Sequence, residues 1–592
     1  MRKQSYRVCF CFQRRFRLTA AEAPADVKSI FDKYSENGVM SADHLRLFLV
    51  EVQGEENATV EEAQGLVDGF HELKHLHLFY RRGISLETFF KYLLGDVNAP
   101  LDPKIGIHHD MTDPLSHYFI YTSHNTYLTG NQLSSDSSDI PIIRALQGGV
   151  RVIELDLWPN SAKNNVYVLH GRTFTTPVEL IKCLRSIKEY AFTASEYPVV
   201  ITLEDHLPAN LQALVAKMIT QTFGDMLFSP GSELLTEFPS PESLKRRIII
   251  STKPPKEYLE AKKVKVKEGK SEKGHSSAED DAWKKEVGDF KQNNDYDKAD
   301  DVDGESVEND EEDEEDLKIQ QQTAPEYKNL IAIPAGKGKG RLQDWLRVDP
   351  NSVRRLSLSE LVLEKAIAQY GTDIVSFTQQ NLLRVYPKAI RVASSNYNPL
   401  SAWMHGAQMV ALNMQGYDKS LWFMHGMFRA NGGCGYVKKP DFLLNSGSNR
   451  EAFNPRAILP VKTTLKVTLY MGEGWYYDFS HTHFDNYSPP DFYAKVGIAG
   501  VPADTMKKKT KQIEDNWIPT WDELFEFPLT VPELALLRIE VREYDASGKG
   551  KLAGQTCLPV WELRKGIRAV PLYSRKGEKY KCVKLLMRFE FV

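Results

Sequence analysis

Four short apolar runs between His117 and Glu204 constrain this chain more than any other feature: HYFIYTSHNTYL, VRVIELDLW, VYVLHGRT and PVVITLEDH. Each is rich in Val, Ile, Leu, Tyr or Phe, as strands buried in a sheet are, and each gives way to a polar residue able to bind a metal or move a proton. His124, Asn125, Glu154, Asp156, His170 and Glu204 all fall at or just past the ends of these runs. In a parallel (β/α) barrel reactive groups gather at the carboxyl ends of the strands. Four successive strands delivering such residues to one rim therefore predict a TIM-type barrel with an active site on that rim.

The residue types specify the chemistry. Glu154 and Asp156 are two apart, so on a strand they share a face. Two carboxylates on one face are costly to bury unless a cation lies between them. With Glu204 and the amide oxygen of Asn125 they form an all-oxygen donor set, which suits a hard cation such as Ca²⁺ or Mg²⁺ rather than Zn²⁺. Any one of these acids alone would pass for a helix cap or a solvated strand end. Two histidines beside a hard cation suit attack at phosphorus, one stabilising charge on phosphoryl oxygens and the other protonating the leaving alkoxide. His108, His109, His117 and His206 carry no such pattern and are given no role.

At 592 residues the chain is too long for one core. No window approaches the length of apolar sequence that crosses a bilayer. The start, MRKQSYRVCFCFQRRFR, lacks the apolar core and cleavage site of a signal peptide. Its Cys9 and Cys11, among aromatics and arginines, read either as acylation sites or as thiols of a buried edge segment. The six cysteines form neither a disulfide framework nor a zinc spacing, which points to a reducing, cytoplasmic setting. Nothing in the pattern points to nucleic acid or specifies an oligomer, so a monomer is expected.

The segments SHNTYL, ELDLW, LHGRT and ITLEDH resemble the X region of eukaryotic phosphoinositide-specific phospholipase C. The resemblance implies that His124 and His170 are the catalytic pair and that Asn125, Glu154, Asp156 and Glu204 bind a catalytic Ca²⁺. It implies that Glu154 doubles as general base on the inositol 2-hydroxyl, and that a cyclic phosphodiester forms and is opened by water. Lys253 matches a lysine that binds a ring phosphate, while its companion lysine is replaced by Ser251; Lys256, on the same run, is a candidate replacement.

By the same resemblance the chain divides as follows. A basic and aromatic segment at 1–23 precedes an EF-hand-like helical module at 24–105, with no room before it for a pleckstrin-homology domain. The X half of the barrel spans 110–255 and the Y half 329–447, separated by a charged linker at 256–328. A C-terminal antiparallel β-sandwich, a C2 domain, spans 460–592. This short order is the plant type within the family. The first EF loop, Asp32 to Asp43, fits a calcium loop poorly: Tyr34 sits where a ligand is wanted and Asn37 where the glycine belongs, so a packing module is expected. The linker culminates in ENDEEDEED, a like-charge block expected to be disordered. If it hovers over the site and is repelled by anionic lipid, deleting Glu279 to Asp316 raises activity on vesicles. In the Y half, RRLSLSELVLEKAIAQYG carries a helical pattern with a serine cap ahead of it, and NLLRVYPKAIR and QMVALNMQ read as strands. Ser357, Arg384 and Tyr386 match residues that hold the inositol ring and its phosphate. Arg384 suits a bidentate phosphate clamp and Tyr386 an apolar face under the ring. In the sandwich, Asp491, Glu543 and Asp545, with Asp485 in addition, suit calcium in the loops at one end. The lysines that follow, Lys549 and Lys551, and the KKKTK run from Lys507 suit anionic lipid without metal.

The resemblance implies hydrolysis of phosphatidylinositol 4,5-bisphosphate to diacylglycerol and inositol 1,4,5-trisphosphate, at the cytoplasmic face of the plasma membrane. The rival readings are a dead relative serving as a lipid-binding scaffold and a barrel phosphodiesterase for another diester. Intact histidines and ligand positions weigh against the first; Lys253, Arg384 and Tyr386 weigh against the second. Ser251 leaves the preferred phosphorylation state open.

Overall fold

The computed structural model describes residues 3–9, 12–17, 20–72, 83–229, 235–253, 324–335, 341–445, 451–544 and 550–592. Its centre is a closed barrel of eight parallel strands: Tyr118–Ile120 (β1), Val152–Pro159 (β2), Val199–Asp205 (β3), Ile248–Lys253 (β4), Ile331–Pro334 (β5), Arg355–Ser359 (β6), Leu382–Tyr386 (β7) and Met409–Val410 (β8). Two sheets make it, β1 with β6, β7 and β8, and β2 with β3, β4 and β5. Parallel bridges from Thr122 to Val152 and from Ala335 to Arg355 close the ring.

Alternation along the strands sorts the side chains. Ile153, Leu155 and Leu157 of β2, with Ile201 and Leu203 of β3, enter the cluster shared with the surrounding helices. Val152, Val200, Ile120, Leu382 and Met409 form a separate apolar plug, and above it the same face turns polar with Glu154, Thr202 and Arg384. Each fully buried Val, Leu or Ile contributes about 1.5–3 kcal/mol, so the layers beneath hold the polar rim in place.

Three expectations change. VYVLHGRT is not a barrel strand: Val166–Val168 runs antiparallel to β2 as an appended hairpin. RLSLS is strand β6 rather than helix, because Leu356 and Leu358 are buried at a period of two; the helix Glu360–Gln380 starts after it, with Ser359 Oγ accepting from the Val362 N–H. IAIP, which the sequence reading passed over, is the fifth barrel strand. Most of the expected linker lies outside the described residues, which begin again at Ala324, before the boundary at 328. Tyr327 is buried there and the Ala324 N–H donates to Gln212 Oε1 at 3.2 Å.

The N-terminal helices Ala25–Lys33, Ala42–Glu51, Val60–Glu72 and Leu86–Leu93 are joined by the short pairing of Met40–Ser41 with Gly83–Ile84. Tyr34 is a core residue whose hydroxyl donates to Glu51 Oε2 at 2.5 Å, which fits a packing module and not a calcium loop. This module packs on the C-terminal domain, where the Arg568 guanidinium donates to Glu55 Oε1, Asn98 Oδ1 and the Gln53 carbonyl at 3.0, 3.0 and 2.7 Å. That domain is a single round of eight antiparallel strands from Thr463–Glu473 to Lys579–Phe591. Arg429 ties it to the barrel, donating to the Cys557 carbonyl at 2.6 Å. His108 and His109 converge on Glu562 at the same junction. The Lys438 N–H donates to His109 Nδ1, so His109 Nε2 carries the proton and suits a hydrogen bond to the carboxylate, not a metal. Before the helices, Lys3–Cys9 and Phe12–Arg17 form a hairpin whose buried Tyr6 accepts from Trp517 Nε1 at 3.2 Å. The Cys9 side chain and Cys11 lie outside the described residues.

Candidate active site

Strand register brings the acids together. On β2 and β3, Asp156 lies directly opposite Glu204, and Glu154 opposite Thr202. One carboxylate oxygen each from Glu154, Asp156 and Glu204 lies within 4.8 Å of the others. Glu154 and Asp156 are buried and Glu204 opens toward solvent. Burial, and then the negative charges of Glu204 and Glu154, push the Asp156 carboxyl well above the usual range. Asp156 Oδ1 is a buried acceptor with only the Tyr127 hydroxyl as a neighbouring donor, so it has capacity for a cation. The chain just past β1 turns sharply into this cluster: Asn125 adopts φ 41°, a left-handed conformation that asparagine tolerates. Its N–H donates to Glu154 Oε2 at 3.1 Å. Three carboxylates and an amide oxygen at the carboxyl ends of barrel strands fit a divalent cation cofactor.

The two histidines flank the acids from different elements. His124 follows the parallel bridge from Ser123 to Leu412, and its Nδ1 pairs with Asn413 Oδ1 at 2.9 Å. His170 follows the hairpin strand Val166–Val168, and its Nδ1 pairs with the Gln132 carbonyl at 2.6 Å. In both, an oxygen that only accepts fixes Nδ1 as the protonated nitrogen and leaves Nε2 for chemistry. Burial, and then the Arg384 cation, push His124 down to about 3, so its imidazole is neutral. Gly171 is required beside His170, since a Cβ there would come within 1.9 Å of the Trp158 ring.

Of the expected substrate residues, Arg384 reaches this centre. Arg384 lies on β7 in register with Ser357 of β6. Its Nη2 contacts Glu154 Oε1, so the arginine holds the acid cluster. Its guanidinium stands 5.5 Å from the Tyr386 ring centroid. Ser357 Oγ is buried without a partner. Lys253 is in register with Glu204, but its side chain lies outside the described residues, as does Lys256. Ser251 Oγ donates to the Ile333 carbonyl at 2.7 Å inside the barrel, so it offers nothing to a ligand in place of a lysine. Leu133 and Phe174 form an exposed apolar rim, with Phe174 82% exposed and its N–H bonded to the Leu133 carbonyl.

In the C-terminal domain Asp491 Oδ1 accepts the Asp515 N–H at 2.7 Å, and Glu543 is mostly buried. Asp545 and Lys549 lie outside the described residues. Among the described residues these loops bring no three ligating groups together. Lys551 Nζ donates to the His483 and Phe484 carbonyls at 2.8 and 3.0 Å, a loop tie rather than a free lipid contact.

Matches to known families cover the same segments. Residues 111–254 match "Phosphatidylinositol-specific phospholipase C, X domain" and residues 346–442 its Y domain. Residues 463–574 match a C2 domain, and residues 20–99 "Phosphoinositide-specific phospholipase C, efhand-like". Phosphoinositide phospholipase C 2 of Arabidopsis thaliana is 63% identical over the whole of both chains. The chain belongs to the phosphoinositide-specific phospholipase C family. Phosphoinositide phospholipase C 7 of the same plant is 61% identical, again over both full lengths. The mouse protein named 1-phosphatidylinositol 4,5-bisphosphate phosphodiesterase delta-3 is 34% identical over 93% of this chain and 66% of its own. Among solved structures, that of S. officinalis PLC21 superposes with a TM-score of 0.72 at 25% identity, covering 96% of this chain and 68% of the other. The enzyme is a plant-type phosphoinositide phospholipase C, a phosphoric diester hydrolase of lipid signalling. Among the described residues no helix is long and apolar enough to cross a membrane.

Sequence reasoning missed Gln132, Ser394 and Asn413. Asn413 carried the right signal, a polar residue ending the apolar run MVALN of the Y half.

Proposed function

We propose that this site cleaves phosphatidylinositol 4,5-bisphosphate to diacylglycerol and inositol 1,4,5-trisphosphate with Ca²⁺ as its metal. The observation that carries the reading is the meeting of three carboxylates with two histidines whose Nδ1 atoms are anchored. Asn125, Glu154, Asp156 and Glu204 would hold the ion, and an all-oxygen set of this size suits Ca²⁺. When bound, the ion supplies Lewis-acid polarisation of the phosphoryl group and lowers the pKa of the attacking hydroxyl.

Glu154 takes the proton from the inositol 2-hydroxyl, whose oxygen attacks phosphorus to form the cyclic phosphodiester. His124 steadies charge on the phosphoryl oxygens. His170, protonated at Nε2, gives that proton to the departing diacylglycerol oxygen. In the second step His170 accepts a proton from water as the water attacks phosphorus, and Glu154 returns its proton to the inositol 2-oxygen as that P–O bond breaks. Arg384, Ser357 and Lys253 take the ring phosphates, and Tyr386 supports the ring. The exposed Phe174 and Leu133 beside His170 suit contact with the apolar edge of an anionic bilayer, the cytoplasmic face of the plasma membrane.

The test is release of water-soluble inositol phosphates from vesicles across a free Ca²⁺ titration, for the native chain and Glu154→Ala. Calcium-dependent release that collapses in the variant is expected. No release at any calcium level, with vesicle binding intact, would leave a lipid-binding scaffold.

A further inference from the structure

We infer that Gln132 is the positioning residue that sets the hydrogen-bond polarity of the whole site, fixing through its neighbours which atoms of Asn125 and His124 face the reaction. The inference rests on the catalytic reading above. Gln132 lies in the loop after the His124 turn, is 7% exposed, and uses all of its polar atoms. Its N–H donates to the Val392 carbonyl at 2.8 Å. Its own carbonyl accepts His170 Nδ1. Its side chain spans the two half-barrels: Oε1 accepts from Asn125 Nδ2 at 2.9 Å, and Nε2 donates to Ser394 Oγ at 2.9 Å and Asn413 Oδ1 at 3.0 Å.

The direction of every bond made by the Gln132 side chain follows from one hydroxyl. Ser394 Oγ has a single proton, and it goes to the Gly130 carbonyl at 2.7 Å. Ser394 therefore accepts from Gln132, which forces the Gln132 amide nitrogen toward Ser394 and Asn413 and its oxygen toward Asn125. Two consequences reach the chemistry. Asn125 must spend its amide nitrogen on Gln132, leaving its oxygen for the cation. Asn413 must turn its oxygen to Gln132, and that same oxygen takes His124 Nδ1–H, leaving His124 Nε2 as the lone-pair nitrogen. Asn413 Nδ2 is held away from the site by the Ser395 carbonyl at 3.1 Å, which reinforces this orientation. The His170 anchor is main-chain, so it survives any substitution of the Gln132 side chain.

The two sides of the Gln132 amide can be separated. Gln132→Glu keeps an acceptor for Asn125 but removes the donor to Asn413. Asn413 then flips to present its nitrogen and moves the His124 proton to Nε2. Gln132→Met removes both functions. Calorimetric Ca²⁺ titration, with Glu154→Ala subtracting any binding outside the barrel, is expected to show Gln132→Glu within about 2-fold of the native affinity and Gln132→Met weakened roughly 10- to 100-fold. Turnover is expected to fall roughly 10- to 100-fold in both, with KM little changed. A double variant Gln132→Met, Asn413→Ala should be no slower than the slower single variant, since both act on one path. A merely structural role would move affinity and turnover together in both variants and leave them additive. Equal losses of Ca²⁺ affinity in the two variants, native turnover in Gln132→Glu, or additive losses would overturn the inference. His124→Ala is the control for the underlying reading: if it keeps native turnover, the catalytic assignment has failed rather than the role of Gln132.

Discussion

Replacing Arg384 with methionine tests the electrostatics of the metal-free site. Arg384 is 3% exposed and its partner Glu154 is 1% exposed, so neither charge is screened by water. Burial works against the charge on Arg384, but Glu154 and then Glu204 outweigh it and raise its pKa, which marks the arginine as the resident counter-charge of the acid cluster. At hydrogen-bonding separation in an effective dielectric near 20, that attraction is roughly 4–6 kcal/mol. Removing one partner of a buried pair costs about 3–5 kcal/mol, because the other charge is stranded. The chain stripped with a chelator should therefore melt well below the native chain. A bound cation restores the counter-charge, so saturating Ca²⁺ should recover most of the loss. In the native chain a cation must also displace the guanidinium from Glu154, so the variant should bind Ca²⁺ about 10-fold or more tighter. Differential scanning fluorimetry across a Ca²⁺ titration, with calorimetry for the affinity, reads both effects. Turnover should still fall, since the phosphate loses its clamp. Native stability in chelator, or weaker Ca²⁺ binding in the variant, would refute the idea that Arg384 stands in for the cation.

Further outcomes follow from single contacts. Asp156→Asn should stabilise the metal-free chain at neutral pH: the folded pKa of Asp156 is raised, so the native state binds the extra proton from the ordinary value of 3.8 upward. Stability then falls as pH rises through that window, and the variant's melting temperature in chelator should fall less with pH and no longer respond to Ca²⁺. Gly171→Ala should displace His170 and slow turnover about 10-fold or more while leaving Ca²⁺ affinity unchanged, since the new Cβ meets Trp158 and not the acids. Phe174→Asp should abolish hydrolysis on vesicles and spare a soluble phosphodiester, because Phe174 touches the rim and none of the reacting groups. Arg568→Met should cost about 2 kcal/mol and expose the N-terminal helices to limited proteolysis, as it strands the Gln53 carbonyl and leaves Asn98 Oδ1 to Gln53 and Glu55 to Arg564.

Much of the site was legible because its residues sit where a local rule applies. Glu154 and Asp156 fall on one face of a strand at a spacing of two, and that alone demands a counter-charge. His124, His170 and Glu204 follow apolar runs that have no reason to stop at such residues unless the sheet ends there. The Tyr34 substitution in the first EF loop told against calcium, and in the structure Tyr34 fills the core. The resemblance to a known family supplied the roles, which the residues alone leave open. The helix predicted over RLSLS failed because five residues with leucines at a period of two can only be told from a helix start by what packs on them. IAIP was too short to register, and it becomes a strand because β4 and β6 leave one gap in the ring.

What the sequence determined by itself was therefore the periodic part: strands buried on both faces, acids and histidines at their ends, and the long acidic block between the two halves. What only the tertiary structure decided was partnership across distance. Which strand lies opposite Glu204 depends on pairing between separate strands, and whether Arg384 meets a phosphate or Glu154 and which way the Gln132 amide points depend on bonds between residues over two hundred positions apart. Strand alternation is written locally because the backbone repeats every two residues. A hydrogen bond's direction inside a closed barrel is fixed only when every neighbouring donor and acceptor has found its place.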